Sequence, residues 1–201
     1  RDASPFLIDL DFKQDVPTRL YTDKMIKRFI SNLCHYIKAY LEVDDNKLQF
    51  FVMEKGIEAR PHKNDGFKDG VHIVCPYVIS KPEIQYIIRE VMVQCLDTVF
   101  GKVFKNSYED IYDKSVIYNN GWFLYGSKKP DEEYAWVLTK IYDCNIQELD
   151  NDYTDEQLVS LLSIRNKFDE AKVKADKREQ VKAYKEATIK KTKDVAEKSA
   201  V

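Results

Sequence analysis

The sequence predicts an α+β domain in which helices pack against a largely antiparallel sheet, followed by a charged C-terminal helix. Two observations lead to it. Apolar alternation at residues 6–12 and a continuous apolar run at 71–79 mark strands, whereas residues 22–41 and 82–99 carry helical apolar stripes. These strands and helices mix irregularly instead of repeating as β-α units, which disfavours a parallel sheet. The chain has 201 residues, 44% hydrophobic and 12% aromatic, enough to bury one sizeable core and leave a segment over. The domain is therefore expected over 1–164 and a tail over 165–201.

In Phe-Leu-Ile-Asp-Leu-Asp-Phe, residues 6–12, Ile8, Leu10 and Phe12 point one way and Asp9 and Asp11 the other. A helix is expected from about Thr22, a suitable cap, to Leu41, with Met25, Ile26, Phe29, Ile30, Leu33 and Ile37 on its apolar face. A strand returns at Leu48–Met53. After a polar stretch, Val71–Ile79 reads as a buried central strand that ends near Cys75 or runs along an edge there, because Pro76 removes a ladder donor. Ser80-Lys81-Pro82-Glu83 reads as a capping box opening a helix that ends at Gly101. Residues 115–125 read as two short strands about an Asn-Asn-Gly turn, and a further strand is expected over Tyr134–Tyr142. Thr154 and Gln157 form a box that starts the next helix. No glycine or proline follows Pro130, and residues 165–201 carry 12 Lys/Arg against 7 Asp/Glu with few large apolar side chains. That composition describes a long solvated helix or a linker, with no core of its own.

Bulk charge says little about partners, since the formal net charge is -2 and any nucleic-acid surface must be local. The four cysteines, Cys34, Cys75, Cys95 and Cys144, form no Cys-x-x-Cys pair, and the three histidines complete no zinc pattern. A reduced, intracellular protein without a membrane segment is expected. The chain opens at Arg1 and enters a strand almost at once, which reads as an excised piece whose upstream residues are missing.

Asp9 and Asp11 set two carboxylates on one strand face, a costly pairing unless a cation sits between them. Hard oxygen ligands of this kind suit Mg²⁺ or Mn²⁺. From the spacing alone, a surface strand with its acids facing water stands equally open. On an apolar strand His72 is more often a hydrogen-bonded core residue, but Lys68 and Gly70 beside it supply a cation and accessible backbone suited to a triphosphate. His35 and His62 have no comparable setting. Asp113 offers a third carboxylate before the expected strand at 115–118. Gly126-Ser127-Lys128-Lys129 is a turn with two cations, which without further context is an exposed turn. The Walker spacing Gly-x-x-x-x-Gly-Lys-Ser/Thr is absent, which argues against an ATPase in this piece.

In order, Phe-Leu-Ile-Asp9-Leu-Asp11-Phe, Lys68-Asp-Gly-Val-His72-Ile-Val-Cys-Pro and Asp113-Lys-Ser-Val-Ile-Tyr-Asn-Asn-Gly-Trp-Phe-Leu-Tyr-Gly-Ser127-Lys128 resemble the three motifs of archaeo-eukaryotic primases. The likeness extends over roughly Phe6 to Asn166. It is greatest to the primase portion of primase-helicases of large DNA viruses of poxvirus and asfarvirus type, where a segment similar to Leu162-Ser-Ile-Arg165-Asn166 follows the domain. The resemblance implies an RRM-like sheet as the catalytic module of a nucleotidyltransferase that makes primers on single-stranded DNA. Asp9, Asp11 and Asp113 would then hold two metal ions, while Lys68, Gly70, His72, Ser127 and Lys128 meet the incoming NTP or dNTP. It further implies a fused or associated superfamily 3 helicase, residues 165–201 as connector, and, for a viral protein, the host cytoplasm as its place of work. A smaller module often precedes the first motif in such enzymes, and this chain is expected to lack it.

Two departures from the family pattern bear on the nucleotide. The second motif usually reads Ser-x-His, and Gly70 replaces the serine, so a backbone amide has to serve in place of a hydroxyl. Many relatives carry an arginine before the Ser-Lys turn, where this chain has Trp122 and Phe123, leaving a cation to come from elsewhere, such as Arg60. Two other readings use the same residues: a non-catalytic DNA- or nucleotide-binding replication-initiator module, and a two-metal nuclease, which has no need of a triphosphate cradle.

Overall fold

The computed structural model describes residues 2–62, 66–118, 121–130, 132–165 and 168–198. Its centre is an antiparallel pair: β1 (Ser4–Gln14) lies against the long strand β5 (Gly66–Ser80), with Asp9 opposite His72 and Asp11 opposite Gly70. On the far side of β5 runs β3 (Phe50–Glu54), followed outward by β7 (Val137–Tyr142) and β8 (Glu148–Leu149). The short strand β6 (Tyr112–Asp113) pairs on the outer edge of β1, and β4 (Arg60–His62) extends the sheet beside the first residues of β5. All these pairings are antiparallel, so the fold is α+β with an antiparallel sheet, as expected.

Strand alternation divides the residues between two faces. Phe6, Ile8, Leu10, Phe12, Val71, Ile73 and Cys75 face the main core, which is closed by α1 (Asp23–Tyr40), α2 (Pro82–Val93) and α3 (Leu96–Phe100). Leu7, Phe51, Met53 and Val74 face the other way into a smaller cluster with Trp122, Trp136, Ile141, Leu158 and Leu162. Asp9, Asp11 and His72 share that second face. Helix α1 forms as its pattern requires, with the Thr22 hydroxyl accepting from the Met25 amide at 3.3 Å. Four free cysteines are present, and among the described residues no helix is long and apolar enough to cross a membrane.

Several elements depart from the sequence reading. Strand β5 does not stop at Cys75. Residues 76–78 form a bulge opposite the Pro5/Phe6 step of β1, so Pro76 falls where the ladder is already interrupted. Lys81, not Ser80, caps α2, without a side-chain bond, and the expected single helix breaks at Gln94 before α3 ends on Gly101 at φ 62°. Residues 115–118 are a helical turn, α5 (Ser115–Tyr118), because the Ser115 amide and hydroxyl both donate back to Asp113, at 2.9 and 2.6 Å, and start a turn where an extended chain was expected. Asn119 and Asn120 lie outside the described residues; Trp122–Tyr125 form no strand, and the last predicted strand starts only at Val137. The box at Thr154 is present and opens α6 (Asp155–Leu161).

The charged tail carries the expected C-terminal helix, largely exposed over residues 178–190, and its first half is in addition docked on the domain, which was not expected. Strand β9 (Lys172–Val173) pairs with β2 (Leu41–Glu42), and the Ala171 amide donates to the Ile79 carbonyl at 2.8 Å. Helix α7 (Arg178–Lys198) then sets Val181 and Tyr184 against the main core, with the Tyr184 hydroxyl 2.8 Å from Glu90 on α2.

Asp23, in the first turn of α1, ties that helix to β7 by accepting from Lys140 at 2.7 Å and from the Tyr142 hydroxyl at 2.6 Å. Burial opposes its ionisation, yet the bonds from Lys140, Tyr142 and Lys27 hold the carboxyl down at about 2. A depressed carboxylate contributes stability that is complete above its ordinary value and is lost as pH falls through the folded one. Asp23→Asn is expected to cost about 1 kcal/mol at neutral pH, allowing for solvent screening of this partly exposed group. In urea unfolding the gap to wild type should narrow between about pH 4 and pH 2; a gap independent of pH across that window would refute the assignment.

Candidate active site

The second motif and the first face each other across the β1–β5 ladder. Alternation places Asp9 and Asp11 on the face away from the helices, and the register brings His72 Nε2 to 3.4 Å from Asp9 Oδ1 and Lys68 Nζ to 3.1 Å from Asp11 Oδ1. On the other edge of β1, Asp113 pairs directly opposite Asp9. One oxygen from each of Asp9, Asp11 and Asp113 therefore lies within 4.8 Å of the others. Burial, the Asp9 charge and, more weakly, Asp113 push the Asp11 carboxyl up, with Lys68 opposing. Three carboxylates converging, with the Lys68 ammonium paired to only one of them, form a donor set suited to a hard divalent cation.

The scaffold around the triad is polar and buried. Arg89 of α2, 7% exposed, donates to the backbone carbonyls of Tyr112 at 2.7 Å and Glu109 at 2.6 Å, fixing the end of α4 (Tyr108–Ile111) and the strand that carries Asp113. Asn106 clamps β1 just past the acids, donating to the Asp11 carbonyl at 2.9 Å and accepting from the Lys13 amide at 3.0 Å. His72 lies between two indoles, with ring centroids 3.5 Å from Trp136 and 4.3 Å from Trp122, both near parallel. The stack leaves the imidazole no freedom to turn, so its Nε2 stays directed at Asp9.

A cleft of about 440 Å³ opens on this face, lined by Asp9, Asp11, Lys68, Gly70 and His72, and across from them by cations of other elements. Of the residues singled out in the sequence, those five and Arg60 meet here, and Asp113 joins the acids at the β1 edge. A Cβ at position 70 would lie 3.1 Å from the Leu10 carbonyl and in ordinary contact with Trp136 and Asp11, a tight fit at the position where the family pattern has serine. The Gly70 amide does not face an incoming phosphate unpartnered, however: it donates to Asp69 Oδ1 at 2.9 Å. Ser127 and Lys128 do not line the cleft. The Ser127 hydroxyl donates to the Leu124 carbonyl at 2.6 Å and Lys128 Nζ to the Glu133 carbonyl at 3.3 Å, while the neighbouring Lys129 stands in the wall.

Sequence reasoning named Arg60, counted Lys129 as a cation of its turn without giving it a role, and missed Lys55 and Glu132. Lys55 follows β3 and is 3% exposed, its ammonium 4.6 Å from the Trp136 ring centroid and ion-paired to Glu132. Arg60 Nη1 reaches the same carboxylate at 2.6 Å. Their positions after a strand and within a polar loop carry no local pattern, and only the sheet topology brings them to the cleft.

Fold and site together define an α+β sheet domain with a three-carboxylate cluster, two of whose members line a cleft shared with Lys55, Arg60, Lys68 and His72. Residues 1–142 match the family model described as the C962R protein N-terminal AEP domain, and the chain belongs to this family of archaeo-eukaryotic primase domains. It is also 32% identical over 147 residues to a protein of Acanthamoeba polyphaga mimivirus named "Putative helicase L207/L206". That match covers 71% of this chain and 15% of the relative, so the chain spans only a small part of the relative's length.

Proposed function

We propose that this chain is the catalytic core of a DNA primase-polymerase, joining nucleotides on a single-stranded DNA template during viral DNA replication. The observation that carries this reading is the convergence of Asp9, Asp11 and Asp113 within 4.8 Å, the first two lining a cleft that also holds Lys68 and His72. In this reading the three aspartates hold Mg²⁺ or Mn²⁺, which supplies activation of the primer hydroxyl and charge neutralisation at the reacting phosphate. Lys68 and His72 bind and orient the triphosphate of an NTP or dNTP, with the indoles of Trp122 and Trp136 locking the imidazole. The work of the side chains is positioning and electrostatic stabilisation, so no side-chain base is needed. Ser127 and Lys128 are proposed to meet the triphosphate only if their turn approaches the cleft when nucleotide binds.

The core is proposed to occupy residues 1–164, with 165–201 leading toward a superfamily 3 helicase in the same or an associated chain, in keeping with the name of the mimivirus relative. The test is incorporation of labelled nucleotide on single-stranded and primed DNA with Mn²⁺ or Mg²⁺. Template-dependent extension is expected. A folded protein that binds DNA but never extends a primer would instead favour the binding-module reading, and DNA cleavage without synthesis the nuclease.

The metal assignment has its own expected result. Mn²⁺ should raise the thermal midpoint, adding about 2.7 kcal/mol of stability at roughly one hundred times its Kd. The Asp9→Ala/Asp11→Ala double variant should show no such rise in differential scanning fluorimetry, and an equal rise in both proteins would remove the site from consideration.

A further inference from the structure

The acids and the remaining cleft cations lie on opposite sides of β5. Asp11 sits across from Gly70 on the β1 side, while Lys55 follows β3 and Arg60 pairs opposite Lys68 through β4. On that second side Lys55, Arg60 and Lys129 share the wall with the carboxylates of Glu132 and Glu133. Lys55 and Arg60 both close on Glu132. Burial opposes its ionisation, yet the two cations hold the Glu132 carboxyl below the ordinary range. Burial also lowers the basicity of Lys55; Glu132 opposes that effect, while the charges of Arg60 and Lys129 add to it. One further donor is left over: Arg60 Nε is buried and finds no hydrogen-bond partner among the described residues. A guanidinium and an ammonium converging on one planar anion, with an unused N–H beside them, form a seat that a tetrahedral oxyanion satisfies more fully than a carboxylate does, because it offers more oxygens and more charge.

We propose that Lys55 and Arg60 form a polyphosphate-binding subsite of the cleft, and that Glu132 holds this subsite as a built-in competing anion. The proposal deepens the nucleotide reading above and rests on it. It places the distal phosphates of a nucleoside triphosphate against Lys55 and Arg60, with the reacting phosphate toward Asp9 and Asp11. Glu132 must give way for binding, so it sets a threshold that short or weakly charged anions do not pass. The subsite also supplies the cation that Trp122 and Phe123 fail to provide in the third motif.

The experiment is calorimetric titration with inorganic tripolyphosphate, without divalent metal, on wild type, Glu132→Gln and Glu132→Gln/Arg60→Gln. Glutamine keeps the shape and removes the charge. Glu132→Gln is expected to bind tripolyphosphate about tenfold more tightly than wild type, the scale of one displaced charge-assisted contact, and the double variant to lose that gain. If the ion pair only ties the 126–136 segment to the sheet, Glu132→Gln binds no more tightly and melts at a lower temperature, which overturns the subsite. Should Glu132→Gln fail to fold, Arg60→Gln alone decides the matter: binding several-fold weaker than wild type is expected, and unchanged binding overturns the proposal. Nucleotide incorporation run on the same proteins separates the two readings. Synthesis by wild type with no gain in Glu132→Gln sinks the subsite and leaves the polymerase; a gain in anion affinity with no synthesis by any protein does the reverse.

Discussion

Asp9→Ala is expected to lower nucleotide incorporation by about 10³-fold or more while leaving the fold in place. The size of the loss follows from the position of Asp9 at the centre of the triad, opposite both His72 and Asp113. A ligand of a catalytic cation contributes several kcal/mol of charge stabilisation in the transition state, and each ~1.4 kcal/mol is tenfold in rate. Survival of the fold follows from the face on which Asp9 lies. Its side chain points away from the helices, and its neighbours Ile8 and Leu10 keep their packing in the main core. The structural loss seen among the described residues is the acceptor beside His72 Nε2, on the order of 1 kcal/mol, partly offset by relief of the repulsion that pushes Asp11 up. Primer extension beside circular dichroism checks both halves. Near wild-type synthesis by Asp9→Ala, or an unfolded variant, would sink the assignment.

Arg89→Met is expected to show the complementary pattern, a stability loss of about 3 kcal/mol together with weakened metal binding. Arg89 touches none of the three acids. It satisfies two backbone carbonyls, those of Glu109 and Tyr112, at the root of the strand that presents Asp113, and its guanidinium lies 5.6 Å from the Tyr112 ring centroid. Methionine fills much of the space but leaves both carbonyls without that donor, and the edge strand loses its anchor to α2. Urea unfolding measures the first effect and Mn²⁺ titration the second. A variant that is destabilised yet binds Mn²⁺ with wild-type affinity would show that Asp113 needs no such support.

The contrast between these residues shows what was legible in the sequence. Asp9, Asp11 and His72 are readable because strand alternation is a local rule: residues two apart share a face whatever the rest of the chain does. Helix α1 is readable for the same reason, its cap and stripe lying within one segment. The helical turn at Ser115–Tyr118 was not, since Val, Ile and Tyr favour strands and the opposing signal is a pair of bonds to a single carboxylate. Lys55 and Glu132 were illegible in a different way. They are 77 residues apart and become partners only through the β3–β5 and β3–β7 pairings. Lys128 against Lys129 turns on the orientation of one exposed loop residue, which no periodicity encodes. The docked part of the tail was hidden by its charge: Val181 and Tyr184 are too sparse to read as a stripe, yet suffice against α2.

The alternation that makes the acids legible also couples chemistry to folding through the reading frame of β1. Inserting or deleting one residue between Phe6 and Phe12 would exchange the two sets of side chains, driving carboxylates under the helices and turning Ile8 and Leu10 out toward the cleft. A protein with that defect would not be a folded domain with a damaged site; it would not fold. The Pro5/Phe6 step is different, because β5 already carries unmatched residues opposite it. Length changes there can be absorbed by the bulge before the chain reaches Asp9. The strand thus has a tolerant entrance and an intolerant centre, and any lineage of this domain that varies in length at its first strand should do so before Phe6.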